Sequence, residues 1–165
     1  MEKLENTNFK LNHNKILCLK QKINNINWQN SIRTSSNYYR YWLHYKHSIT
    51  NVLKPYNFQV KVLYNQKLQG IWHRHVILYA FNRPFIYAVT HTKSPHAFGL
   101  SGLGGNSLGN LLFKNNIHKG NFVFCSTKIV SFLNLYTQNK QSQVMGRKRI
   151  YTKKNAELIL YEFLL

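Results

Sequence analysis

Arg74 stands in the run Trp72-His73-Arg74-His75-Val76-Ile77-Leu78, whose side chains alternate with period two. If Val76 and Leu78 face a core, the same parity turns the Arg74 guanidinium inward, where an unpaired charge is strongly destabilising. It must then snorkel, meet Glu157 or Glu162, or bind an anionic ligand, and its planar fork suits a carboxylate bidentately. Glu162 poses the converse problem between Leu160 and Leu164. A carboxylate embedded in an apolar strand face needs a cation such as Arg74 or Arg147, or serves a polar site tuned by an apolar wall. Arg147 and Arg149 share parity in Met145-Gly146-Arg147-Lys148-Arg149-Ile150-Tyr151. That parity lets them line a ligand mouth or face water.

The field around these groups is strongly positive. Lys and Arg number 23 against four acids, and the net charge is +19 over 165 residues. There is no Asp, which excludes a catalytic Asp, an Asp-based calcium loop and a two-carboxylate metal clamp. Such a surface attracts polyanions at low salt, so a basic nucleic-acid-binding module is one reading, while small anionic substrates benefit from the same field. The 21 Asn and 17 Lys against six Arg are what an A+T-biased coding sequence supplies. Cys18 and Cys125 lie far apart with no CxxC and no Cys/His cluster around them, so reducing surroundings are expected and a disulfide framework is not. Lys and Asn interrupt the first thirty residues too often for a spanning helix or a signal h-region. A soluble protein made where it works is expected.

The elements that must position these groups follow from local pattern. Residues 1–30 read as a polar N-terminal arm with a weak helical stripe (Leu11, Ile16, Leu17, Leu19, Ile23, Ile26), and residues 31–165 as the domain. Ser36 or Asn37 caps a helix whose Tyr38, Tyr41, Trp42 and Tyr45 share a core-packing side. Ser48-Ile49-Thr50 caps a second short helix that Pro55 ends. From Phe58 to Tyr64 the period is two, and Asn65 to Gly70 reads as a turn. Ile71 to Ala80 and Phe85 to Thr92 follow as strands around Phe81-Asn82-Arg83-Pro84. The glycine run from Gly99 to Gly105 lacks a phosphate-loop ending, and Ser107 caps a helix through Phe113. Phe122 to Tyr136 reads as strand, Gln138 to Gln143 as a polar bridge, and Leu158 to Leu165 as a final strand. Antiparallel strands in sequence without helical crossovers imply an α+β or all-β domain.

Taken together, several of these segments resemble the chorismate pyruvate-lyase family. They are Ser48-Ile49-Thr50, the Arg74 strand with Pro84 beyond it, Ser107-Leu108-Gly109-Asn110-Leu111-Leu112-Phe113, Gly146-Arg147 and Glu162-Phe163-Leu164. The likeness spans roughly residues 40–165, and it is greatest to the branch encoded in plastid genomes. The resemblance implies a single α+β domain: an antiparallel sheet, helices packed against it and flaps over an internal ligand cavity. It implies a lyase that eliminates pyruvate from chorismate, leaving 4-hydroxybenzoate for quinone biosynthesis, with no metal and no organic cofactor.

By the same resemblance Arg74 binds the ring carboxylate, Ile49 and Leu108 offer backbone amides, and Glu162 meets the ring hydroxyl. Arg147 is a second cation for the pyruvyl carboxylate. Where some relatives carry a second strand arginine this chain has Val89, so a weaker grip on the second carboxylate is expected, and His75 stands where an acidic neighbour of the site arginine is often found. A monomer in the plastid stroma is expected too, with no specific nucleic-acid partner. The alternative within the same fold is a non-catalytic aromatic-acid-binding protein.

Overall fold

Residues 10–113, 116–128 and 143–165 are described by a computed structural model. The period-two runs form strands β1 (Gln59–Leu68), β2 (Ile71–Ala80), β3 (Arg83–Thr92), β4 (His118–Lys119), β5 (Val123–Thr127), β6 (Val144–Lys153) and β7 (Ala156–Leu164). They make one seven-stranded antiparallel sheet in the order β1-β2-β3-β7-β6-β4, with β5 also paired to β6. The helices α1 (His13–Asn24), α2 (Asn37–His44), α3 (Ile49–Leu53) and α4 (Gly109–Leu112) pack on it, giving an α+β fold in one domain. None of the helices is long and apolar enough to cross a membrane.

The hairpins are tighter than the sequence suggests. Asn65 to Leu68 stays in β1, and Gln69 and Gly70 alone make the turn, both at positive φ. Phe81 and Asn82 do the same between β2 and β3. Phe81 is an unusual residue there. The Tyr56 carbonyl accepts from its amide at 2.9 Å and the Tyr56 ring stacks on it at 4.5 Å, which fixes the strained position.

Alternation divides the sheet between two cores. On one face Val76, Leu78, Ala88 and Leu164 pack with Trp42, Leu43, Ile49 and Leu53 from α2 and α3. On the other Ile77, Tyr87, Val89 and Phe163 pack under Ile16, Leu19 and Ile23 of α1. The N-terminal arm is therefore corrected: from Leu11 onward it is part of the domain. Asn12 caps α1 by accepting from the Lys15 amide at 3.0 Å, and Gln29 exchanges backbone hydrogen bonds with Phe124. A weak helical stripe suffices because the sheet supplies the apolar surface that an isolated helix would lack.

Ser36 does cap α2, but Tyr38 and Tyr41 are largely exposed, while Trp42 and Leu43 carry the packing. Two short 3-10 turns (Pro95–Phe98 and Leu100–Gly102) lead into and through the glycine run, and the N-cap of α4 is Leu108, one residue after the expected Ser107. Of the expected strand Phe122 to Tyr136, β5 covers Val123–Thr127. Residues 129–142, including most of the expected polar bridge, lie outside the described residues.

Candidate functional site

The cavity lies between the first of these faces and the two short helices α3 and α4. It holds about 560 Å³ of atom-free space counted out to its mouth. Arg74, Glu162, Ile49, Leu108 and Arg147 all line it. Strand register explains the convergence. Arg74 pairs with Thr90 across β2 and β3, Ala88 pairs with Glu162 across β3 and β7, and Glu162 pairs with Arg147 across β7 and β6. Paired residues share a face, so the sheet presents one cation from β2 and an acid-base pair from its other half.

Arg74 is 2% exposed. Its two terminal nitrogens donate to the carbonyl oxygens of Gly104 (2.7 Å) and Asn106 (2.8 Å), so the glycine run bends around the guanidinium. Neutral carbonyls satisfy its hydrogens without neutralising its charge. Among the described residues no carboxylate lies within ion-pair distance of it. Burial pulls its pKa down to about 10, which leaves it cationic at neutral pH.

Glu162 is paired differently. Its Oε2 accepts from Arg147 Nε at 2.6 Å. Arg147 also donates through Nη1 to the carbonyls of Trp42 (3.1 Å), Leu43 (3.2 Å) and Tyr45 (2.6 Å), closing the C-terminal end of α2, and its guanidinium stacks 4.4 Å from the Phe122 ring. Arg147 thus fixes both the carboxylate and the helix above it. Arg149 does not line the cavity; it donates to the Gly120 carbonyl at 2.7 Å.

Ile49 and Leu108 begin the two flaps. Neither amide has a hydrogen-bond acceptor among the described residues. The flaps touch at Gly109, where a Cβ would collide with the hydroxyls of Ser48 and Thr50; those hydroxyls hydrogen-bond each other at 2.8 Å.

Two lining residues escape the sequence reading. Thr90, buried beside Arg74, is legible only through register. Tyr151 shares parity with Arg147 and Arg149, which is the signal that could have found it. Burial, reinforced by the Glu162 charge, pushes its phenol up to about 12, so it stays protonated. Val89 and His75 lie on the opposite face: Val89 packs in the α1 core, and His75 Nδ1 is 2.6 Å from the Tyr87 hydroxyl. Neither side chain lines the cavity, so the weaker grip expected from Val89 has no structural basis.

No protein-family model matches this chain, and no curated protein sequence does. Solved structures do. The gene product SA0254 of Staphylococcus aureus superposes with a TM-score of 0.53 at 7% identity, covering 73% of this chain and 88% of that one. A possible transcriptional regulator, YydK of Bacillus subtilis, gives 0.51 at 11% identity, covering 100% of this chain and 84% of that one. The likeness is one of fold alone, a single α+β domain built on an antiparallel sheet.

Proposed function

We propose that the chain is a chorismate lyase that needs no cofactor. The observation that carries this reading is the buried, charge-unneutralised Arg74 in the same cavity as the oriented carboxylate of Glu162. Sheet geometry sets their Cα positions roughly 12 Å apart, two strands across and two residues along.

In this reading Arg74 binds the ring carboxylate by charge-assisted bonds, and the Ile49 and Leu108 amides fix its direction. Glu162 faces the C4 hydroxyl. The C4 proton leaves, its electrons complete the aromatic ring, and the C3–O bond to the enolpyruvyl group breaks. The departing enolpyruvate takes a proton and becomes pyruvate, which balances the step without an oxidant or reductant. The geometry favours Arg147 as the residue that positions Glu162 over its expected role as a contact for the leaving carboxylate. Flaps that close over bound substrate hold one reactive conformer away from water, which is where catalysis by positioning gains most. The plastid location belongs to the same proposal and rests on sequence resemblance.

The fold likeness to a possible transcriptional regulator favours one second reading, a domain that binds an aromatic acid without converting it. One assay separates the two. Purified protein given chorismate is expected to release pyruvate and 4-hydroxybenzoate in equal amounts. R74A is expected to lower kcat/KM at least about 100-fold and to weaken 4-hydroxybenzoate binding in parallel. E162Q is expected to retain the product's affinity while losing turnover. Tight 4-hydroxybenzoate binding with no product from chorismate selects the sensor reading. Salt-sensitive nucleic-acid binding that survives R74A, in the absence of either ligand effect, selects the polyanion reading.

A further inference from the structure

The sheet face turned away from the cavity carries a second set of chemistry-bearing side chains. His73 and His75 alternate with Arg74 along β2, so they point to the α1 side. His91 on β3 stands directly across from His73. His73 and His75 are fully buried and His91 nearly so. One ring nitrogen from each lies within 4.8 Å of the other two. The His73 and His91 rings meet edge to face at 4.5 Å.

Both nitrogens of His73, Nε2 of His75 and Nε2 of His91 are buried without a hydrogen-bond partner. The Leu68 carbonyl is close enough to raise the His73 pKa, yet it does not meet hydrogen-bond geometry. Each such orphan is destabilising, and four gathered at one point call for a common partner. Burial keeps the imidazoles neutral. It pulls His73 down to about 4, with the Lys20 charge on α1 assisting, and His91 down to about 3, with His73 and Lys20 assisting. His75, burial again leading, lies well below the usual range. A neutral imidazole is the form that donates a lone pair to a metal.

We propose that His73, His75 and His91 bind a divalent transition-metal ion, of the class that prefers imidazole, beneath α1 and on the sheet face opposite the cavity. The contact between His75 Nδ1 and the Tyr87 hydroxyl supplies the outer-shell partner that a ligating histidine needs: Nδ1–H donates, leaving Nε2 for the metal. Tetrahedral coordination at zinc–nitrogen distances sets ligand nitrogens roughly 3.3 Å apart, so modest ring rotations draw this cluster together. The cluster contains no carboxylate or thiolate, which leaves the fourth position to water or hydroxide. The Tyr64 hydroxyl is also buried without a partner, and its ring is 6.2 Å from that of His75. It is available to hydrogen-bond that fourth ligand. The site does not depend on the lyase reading, because it shares no side chain with the cavity.

The test uses the full chain, stripped of metal by chelator dialysis and titrated with zinc or cobalt(II) chloride. One equivalent per chain is expected, with visible d–d absorption of the cobalt form and a rise in Tm with added zinc. The double variant H73Q/H91Q is expected to bind at least 100-fold more weakly while unfolding cooperatively, and H118Q, at an exposed position, to bind as wild type does. Uptake by wild type equal to that of the double variant overturns the proposal. Should the double variant not fold, nitrogen-15 imidazole spectra of wild type decide: a zinc-dependent shift at His75 Nε2 supports the site, and unchanged imidazole signals overturn it.

Discussion

Arg74 and Arg147 both line the cavity, but the protein balances their charges by different means. Arg147 is matched by Glu162 and by three carbonyls at the end of α2, whereas Arg74 receives only two carbonyls from the glycine run. Removing Arg147 strands a half-buried carboxylate and uncaps a helix. R147A is therefore expected to lose about 3–5 kcal/mol of stability in urea unfolding. The double variant R147M/E162L is expected to lose less than the two single changes summed, by about 1 kcal/mol or more. Parity alone marked Arg74 and Glu162 as inward-facing, because an isolated charge in an apolar alternating run has few resting places. It could not say which arginine takes Glu162, since that choice depends on which strands become neighbours after folding.

At the scale of elements, the flaps depend on two short helices whose contact point is a residue without a side chain. The Gly109 backbone lies against the Ser48 and Thr50 hydroxyls. G109A is expected to push α3 and α4 apart at a cost of about 1–3 kcal/mol. Titration calorimetry should then show 4-hydroxybenzoate affinity falling about tenfold, with the sheet's unfolding transition retained. The strands and helix caps were legible because alternation and Ser or Asn caps are local signals. The turn between β1 and β2 was misplaced because Asn65, Gln66 and Lys67 look like loop residues. They remain in the strand because it is an outer one, where polar side chains meet water, and because Asn65 Oδ1 accepts from Trp72 Nε1 at 3.1 Å.

For the whole molecule, α1 completes a core that the sheet cannot close alone. Ile16, Leu19 and Ile23 each bury about 1.5–3 kcal/mol worth of apolar surface, a total comparable with the full stability of a small domain. Deleting residues 1–24 is therefore expected to give insoluble protein or the loss of a cooperative thermal transition; a soluble truncation with an unchanged Tm would refute the role given to this helix. The first residues read as an arm because helix periodicity there is weak and the polar residues outnumber the apolar ones. Only the apolar sheet face that α1 covers reveals why those few apolar positions are enough. The histidine cluster was hidden for a related reason. His-x-His on one strand is a common pattern, and its third member joins only when the hairpin brings His91 opposite His73.

Strand β2 sends its guanidinium to one side of the sheet and its flanking imidazoles to the other. Deleting one residue before Arg74 changes the phase of everything upstream of the break relative to everything downstream. Such a deletion would transpose chemistry between the two compartments, putting an imidazole where the anion is received or a permanent cation among α1's leucines and isoleucines. Length in this stretch is consequently under tighter constraint than side-chain identity, and the two compartments can diverge in composition only by substitution.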